Sequence, residues 1–168
     1  RSHIFVRIKN DAANNYLKTK ARLVGGGDMQ DKSLYNNISS PTIAIETVFM
    51  MIAIAAAERR HIYTVDITGA YLNCKLPTSD EVHMCLDKTT SAILLKIDPS
   101  LTKYMTSKGT VIVKLNKALY GLLQSAKLWY ERLKDVLINV LEFVVNSYDR
   151  CSFNKMVDGV QITIGFHV

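Results

Sequence analysis

Residues 65–73 read Val65-Asp66-Ile67-Thr68-Gly69-Ala70-Tyr71-Leu72-Asn73. Apolar residues surround Asp66, and an aromatic ring follows it at Tyr71. Residues 62–67 alternate between two sets of side chains, as a β-strand does. We therefore predict a strand that ends near Asp66 and places this carboxylate on the same face as Ile62.

A second block reads Lys114-Leu115-Asn116-Lys117-Ala118-Leu119-Tyr120-Gly121-Leu122-Leu123-Gln124-Ser125-Ala126-Lys127-Leu128-Trp129-Tyr130. In this order the two blocks resemble the reverse transcriptase of copia-type LTR retrotransposons. The usual pattern of that family runs Leu-Asp-Val-Lys-Thr-Ala-Phe-Leu-Asn-Gly and later Leu-Tyr-Gly-Leu-Lys-Gln-Ala-Pro-Arg-Ala-Trp-Tyr. Smaller matches stand at Lys20-Ala21-Arg22-Leu23-Val24, at Ser40-Pro41, and at Tyr148-Asp149 followed by Cys151.

The resemblance implies an α+β fold made of reverse-transcriptase fingers and palm, with an antiparallel palm sheet packed on helices. Residues 1–168 would form a single, partial domain. In the family, a strand ending Val-Tyr-Val runs into Asp-Asp, which supplies the other two metal-binding carboxylates; here that strand ends Phe166-His167-Val168. We therefore expect a fragment of a longer Pol polyprotein, without thumb and RNase H, that is inactive on its own.

The resemblance also assigns the catalytic chemistry. Nucleotidyl transfer to a primer 3′-hydroxyl by two Mg²⁺ ions needs carboxylates close enough to hold both cations. Asp66 would be one catalytic metal ligand, joined by the backbone carbonyl of Ile67. Tyr71 stands where the family places the ring that lies under the sugar and excludes a 2′-hydroxyl. From the residues alone, a strand-ending Asp66 and a core Tyr71 stay open.

Substrate-binding residues follow from the same resemblance. Lys20 and Arg22 lie in the fingers segment whose basic side chains approach the incoming triphosphate, since Arg grips phosphate oxygens bidentately and Lys acts as a point charge. Tyr120 and Gly121 resemble the turn that shapes the floor of the nucleotide and template pocket. Gln124 is the next matching polar position. The open alternative for Lys20 and Arg22 is a pair of surface cations beside a strand.

Local patterns in the first half of the chain predict further elements. Residues 4–8 and 21–24 have the character of short strands. The triple glycine at 25–27 predicts a turn or flexible loop, without the ending of a Walker phosphate loop. Residues 42–60 predict a helix that begins after Ser40-Pro41; because it is almost entirely apolar, we expect it to be buried.

Local patterns in the second half of the chain also predict strands, a helix and a hairpin. Strands are expected at 81–86 and 111–115, separated by a polar insertion, 87–109, for which the sequence predicts no element. Apolar residues between Trp129 and Val144 recur at three- and four-residue intervals, which predicts an amphipathic helix in which Trp129 and Tyr130 are packing residues. Asp158-Gly159 lies between two alternating segments and predicts a tight β-hairpin.

Composition limits the class of protein. The 168 residues carry 21 basic and 15 acidic side chains, a net charge of +6, with the excess concentrated in the first 22 residues. This balance favours an anionic partner, and the resemblance names an RNA template, a DNA primer and deoxynucleoside triphosphates. The longest apolar run, residues 48–57, is too short to span a membrane, so no membrane partner is expected.

Cysteine usage bears on the compartment. Three widely spaced cysteines without a Cys-x-x-Cys pattern indicate a reducing environment. Cys74, His83 and Cys85 match no common zinc spacing. An intracellular location, in a cytoplasmic particle or the nucleus, is what the resemblance implies.

Two other functions stay open at this point. The chain departs from the family pattern at several positions: Gly25, Gly26, Asp28, Phe49, Cys74, His83, Leu123, Ala126 and Lys127. Such scatter is typical of a divergent or decaying element, so one alternative is a catalytically dead remnant that binds nucleic acid through its basic N-terminal region. The other is an unrelated basic α+β domain, against which the ordered motifs argue.

Overall fold

A computed structural model describes all residues from 1 to 168. The chain forms two compact units, one made of Arg1–Asn36 and Tyr71–Ser125 and the other of Asn37–Ala70 and Ala126–Val168. In chain order the regular elements are β1 (Ser2–Asn10), β2 (Tyr16–Gly25), α1 (Ile45–Ala57), β3 (His83–Cys85), α2 (Lys88–Ile97), β4 (Ile112–Lys114), α3 (Ser125–Asp135), β5 (Val144–Val145), β6 (Ser152–Val157) and β7 (Val160–Gly165). The mixture of helices and small antiparallel sheets agrees with the predicted α+β class.

The first unit begins with the long hairpin of β1 and β2, which confirms both strands predicted there. Its register pairs Phe5 with Arg22, Arg7 with Lys20, and Lys9 with Lys18. Asp11 shapes the turn between the strands, because its carboxylate accepts the backbone N–H groups of Ala13 and Asn15, each at 2.9 Å. Alternation then separates the side chains, with the cations on one face and mostly apolar side chains on the other.

The rest of the first unit packs around a small apolar core. Strands β3 and β4 pair antiparallel, and Met84, Leu86 and Val111 are buried between them and α2. The insertion at 87–109, for which the sequence predicted no element, contains helix α2 and a 3₁₀ turn at Pro99–Tyr104. Helix α2 begins where the Asp87 carboxylate accepts the Thr90 N–H at 2.9 Å, as an N-cap residue does.

Helix α1 of the second unit differs from its prediction in two ways. It runs from Ile45 to Ala57, shorter at both ends than expected. The prediction that it is buried is wrong: Ala55 is its one buried residue, and Phe49 and Met50 are 64% and 54% exposed. The reason is geometric, since the three-stranded sheet of this unit can cover only one side of a helix whose apolar residues extend all around it.

The strand predicted at 62–67 does not form. Residues 61–67 are irregular and exposed, and the three sheets are made of other segments. A β-strand needs a neighbour to complete its backbone hydrogen bonds, and residues 62–67 have none in this fold. The alternating pattern was therefore misleading, and Asp66 lies in an extended, exposed segment.

The predicted amphipathic helix is confirmed over most of its length. Helix α3 continues into a π-helical turn at Val136–Val140. The chain then reverses at Glu142, whose φ of 58° is left-handed, so Val144 belongs to β5 and not to the helix. Trp129 and Tyr130 are buried, as packing residues should be.

The predicted hairpin is also confirmed. Strands β6 and β7 pair from Ser152↔Gly165 to Val157↔Val160, and Asp158 and Gly159 have φ angles of 49° and 78°. Two consecutive left-handed residues are what a tight type I′ turn requires. Phe153 of β6 is fully buried in a core with Leu137 and Phe143. No helix of the protein combines the length and the apolar character that a membrane crossing needs.

Candidate functional site

Three of the predicted site residues meet around the ring of Tyr120 in the first unit. The guanidinium carbon of Arg22 lies 4.9 Å from the centroid of that ring. The ring of Tyr71 approaches it from another side, with centroids 4.6 Å apart and an interplanar angle of 47°. These residues come from three separate sequence motifs, and the fold joins them in one group, which we call the Tyr120 cluster.

Backbone contacts fix the position of Tyr120. Its carbonyl accepts the N–H of Gly25, at the end of β2, at 2.8 Å. The backbones are so close that a β-carbon on Gly121 would collide with the Gly25 carbonyl oxygen, and one on Gly27 with the Gly121 carbonyl oxygen. The glycine-rich segment predicted as a turn or flexible loop is therefore a close-packed support for the Tyr120-Gly121 turn.

Gln124 is buried beneath this turn. Its side chain is 4% exposed, and its amide nitrogen donates to the Tyr35 hydroxyl at 3.2 Å. Its carbonyl oxygen accepts from Nε2 of Gln30 at 3.1 Å, and Gln30 also binds the backbone of Leu123. Sequence reasoning missed Gln30 and Tyr35, since neither lies in a motif and only the tertiary fold brings them to Gln124.

Positively charged side chains lie on one side of the Tyr120 cluster. Arg7, Lys9, Lys18, Lys20 and Arg22 all point to one face of the β1–β2 hairpin, and we call this set the basic face. Neither strand contains an acidic residue, and none of the five cations takes part in a salt bridge. Lys20 thus lies two residues from Arg22 on the same exposed face, which creates a positive potential beside Tyr120.

The environment also changes the acidity of Tyr71. Burial raises the pKa of the Tyr71 phenol above its ordinary value, and the neighbouring Tyr120 raises it further. The phenol therefore stays protonated at neutral pH and keeps its O–H as a hydrogen-bond donor.

Asp66 and Ile67 belong to the second unit. Both lie in the exposed irregular segment that follows α1. The protein contains no group of three His, Cys, Asp or Glu side chains arranged to hold a metal ion. Two Mg²⁺ ions need several carboxylate oxygens between them, so the arrangement of residues 1–168 gives no geometric support to the magnesium prediction.

Comparison with known proteins defines the class. The family described as "Reverse transcriptase (RNA-dependent DNA polymerase)" matches residues 2–168, so the chain belongs to the reverse transcriptase family, and the resemblance predicted from the motifs is confirmed.

Two curated relatives place it more closely. The chain is 25% identical over 150 residues to the Retrovirus-related Pol polyprotein from transposon TNT 1-94 of Nicotiana tabacum. The aligned region covers 89% of this chain and 10% of that protein. It is 31% identical over 120 residues to the Transposon Ty1-BL Gag-Pol polyprotein of Saccharomyces cerevisiae, covering 71% of this chain and 6% of that protein. The chain thus spans a tenth or less of the length of these relatives. No solved structure matches it.

Proposed function

We propose that residues 1–168 are the fingers and palm portion of an RNA-directed DNA polymerase, which adds deoxynucleotides to the 3′-hydroxyl of a DNA primer on an RNA template. The observation that carries this proposal is the Tyr120 cluster, in which Arg22, Tyr120 and Tyr71 meet. Membership of a polymerase family supports the proposal that this cluster receives an incoming nucleotide. As a member of this family, the protein would act inside the cell, in a cytoplasmic particle or the nucleus.

The chemistry of the cluster suits a nucleoside triphosphate. A guanidinium that lies over an aromatic face still directs its N–H groups outward, where they can bind two phosphate oxygens. Lys20 adds a second positive charge on the same face of β2. Gly121, without a side chain, allows the Gly25 backbone to approach closely and support the turn that carries Tyr120. The ring of Tyr71 would lie under the sugar and collide with a 2′-hydroxyl, so that ribonucleotides would be excluded by their shape.

The proposed reaction uses Mg²⁺, although no cluster of metal-binding side chains is present in the structure. Asp66, with the Ile67 carbonyl, would provide part of the coordination, and Mg²⁺ when bound supplies charge stabilisation at the transferred phosphate. Because residues 1–168 contain no group of three His, Cys, Asp or Glu side chains that could hold a metal ion, the role proposed for this chain is to position the nucleotide and the nucleic acid. In that arrangement Gln124 acts from below the turn, through its buried hydrogen bonds.

The test is primer extension. Residues 1–168 are expressed within a full-length Pol polyprotein, and the unsubstituted protein is compared with Asp66→Asn on an RNA template. We expect metal-dependent DNA synthesis that Asp66→Asn abolishes, because the substitution removes a charged metal ligand without changing the side-chain size. Glu58→Gln, at an exposed carboxylate of the same segment, is the control. Full activity of Asp66→Asn would refute the assignment of Asp66.

A second candidate function is nucleic-acid binding without catalysis. The basic face favours it, because five cations on one hairpin face that make no salt bridge would bind phosphates without regard to sequence. The two functions differ in one result: a full-length protein that binds primer and template tightly but extends nothing would support the binding function alone.

A further inference from the structure

The Tyr120-Gly121 turn is fixed by hydrogen bonds on both of its sides. Gly121 has a left-handed φ of 89°, and a glycine by itself permits many other conformations. On the upstream side, the Gly25 N–H donates to the Tyr120 carbonyl. On the downstream side, the Leu123 N–H donates to Oε1 of Gln30 at 2.8 Å. These outside partners therefore add to the turn's own bond from the Leu122 N–H to the Leu119 carbonyl and help to hold it in one conformation.

Gln30 holds the downstream side with its whole carboxamide. While Oε1 accepts from Leu123, Nε2 donates to the Tyr35 hydroxyl at 2.9 Å and to Oε1 of Gln124 at 3.1 Å. Its own backbone is anchored by a bond from the Gln30 N–H to the Gly27 carbonyl. The position requires one group that accepts and another that donates, and glutamine provides both.

We propose that Gln30 is a positioning residue of the nucleotide site, acting through Leu123 to keep the Tyr120 ring between Arg22 and Tyr71. The role deepens the proposed function and rests on it for the nucleotide itself. The side-chain hydrogen bonds of Gln30 go to Tyr35, Gln124 and Leu123 and not to the three clustered side chains. Through Leu123, Gln30 holds the backbone turn from which Tyr120 projects. Loss of the carboxamide would leave the Leu123 N–H and the Oε1 atom of the buried Gln124 without these bonds, while the bond from Gln124 to Tyr35 would remain.

The test compares three variants of residues 1–168. Gln30→Met keeps the side-chain length and removes both polar atoms, with Gln30→Leu in reserve if that variant does not fold. Gln30→Glu keeps the oxygen that accepts from Leu123. Met29→Ala, at a residue that is 60% exposed on the adjoining turn, is the matched control. The measurements are amide hydrogen exchange at Leu123, the NMR ring signals of Tyr120, and the affinities for dGTP and for a single-stranded oligonucleotide.

We expect Gln30→Met to speed exchange at Leu123 and weaken dGTP binding, each by about tenfold, because a hydrogen bond is lost from a half-buried site. The Tyr120 ring signals should shift while oligonucleotide affinity stays constant. Gln30→Glu should retain protection at Leu123, and Met29→Ala should resemble the unsubstituted chain.

Unchanged Tyr120 signals in Gln30→Met would overturn the proposal, as would equal losses of dGTP and oligonucleotide affinity. A failure of the unsubstituted chain to bind dGTP would count against the proposed function instead. In that case the Leu123 and Tyr120 measurements would still decide whether Gln30 positions the ring.

Discussion

At the scale of single residues, Tyr71 connects the fold to substrate choice. Its ring packs against Tyr120, and the residue is half-buried. A ring in such a place excludes bulk by its shape, so its proposed role depends on the aromatic group and not on the hydroxyl.

We predict that Tyr71→Ala lowers the preference of the protein for dGTP over GTP by about tenfold, because a pocket that rejects an added hydroxyl by contact loses that contact. The two dissociation constants are measured by titration of residues 1–168. Tyr71→Phe keeps the ring and should keep the preference. An unchanged dGTP-to-GTP ratio in Tyr71→Ala, with both nucleotides still bound, would remove Tyr71 from the selection of the sugar.

The sequence predicted part of this site because its residues lie in recognisable motifs. Arg22, Tyr71 and Tyr120 belong to three such motifs, and the fold brings their side chains together. Gln30 and Tyr35 could not be found in this way, because their contribution is a set of hydrogen bonds made to Gln124 across about ninety residues of chain.

At the scale of elements, helix α1 depends on a cap that is far away in sequence. Its N-cap residue is Ala44, whose side chain cannot accept a hydrogen bond. The buried carboxylate of Asp149 accepts the Ala44 N–H at 2.9 Å and the Cys151 N–H at 2.8 Å. This explains why the sequence placed the start of α1 incorrectly: the capping group belongs to the loop before β6.

We predict that Asp149→Ala destabilises the protein by about 2 kcal/mol, because bonds to a charged acceptor are lost and buried N–H groups remain without partners. Thermal unfolding at pH 7 and hydrogen exchange in α1 measure the effect. Asp135→Asn, at an exposed carboxylate of the same unit, is the control and should change stability little. Equal effects of the two substitutions would show that Asp149 does not cap the helix.

The contribution of Asp149 to the stability of the folded protein should also depend on pH. Burial by itself raises the pKa of this carboxyl, but bonds from the Ala44 and Cys151 N–H groups and from Thr47 outweigh it, so the pKa is lowered. A lowered pKa in the folded state means that the stabilisation is complete above the ordinary aspartate value and is lost as pH falls through the lowered one. The stability difference between Asp149→Ala and the unsubstituted chain should therefore shrink below about pH 4.

Pairing explains which strands the sequence could predict. The β6–β7 hairpin was predictable because its turn residues, Asp158-Gly159, act locally. Residues 62–67 show the same alternation, yet they form no strand because the fold offers them no neighbouring edge. A pattern along the chain reports which side chains share a face, whereas a sheet also requires a partner.

At the scale of the whole molecule, the net charge of +6 is distributed unevenly. The basic face collects five cations on one hairpin, while the salt bridges of the protein all involve other residues. Binding of nucleic acid should therefore be concentrated on this hairpin and should release counterions from the strand.

We predict that the affinity for single-stranded RNA falls with salt along a log–log slope of about −3.5 if all five cations meet phosphates. The double substitution Lys9→Ala with Lys18→Ala should reduce the magnitude of the slope by about 1.4. Fluorescence anisotropy between 50 and 200 mM salt, about the range over which the effect is large, provides the measurement. Lys103→Ala with Lys108→Ala, at two cations of the insertion, is the control, and an equal reduction there would mean that binding follows total charge and not the basic face.

A dGTP titration of residues 1–168 and three variants tests whether the Tyr120 cluster receives the triphosphate of a nucleotide. We expect Arg22→Ala to weaken dGTP binding by about tenfold to a hundredfold, the value of a charge-assisted hydrogen bond, and to weaken RNA binding far less. Arg22→Lys should fall between, since it keeps the charge but not the bidentate geometry, and Lys9→Ala, further along the basic face, should leave dGTP binding unchanged. Equal losses of dGTP and RNA affinity in Arg22→Ala would contradict a triphosphate site at the Tyr120 cluster and make Arg22 a general nucleic-acid contact.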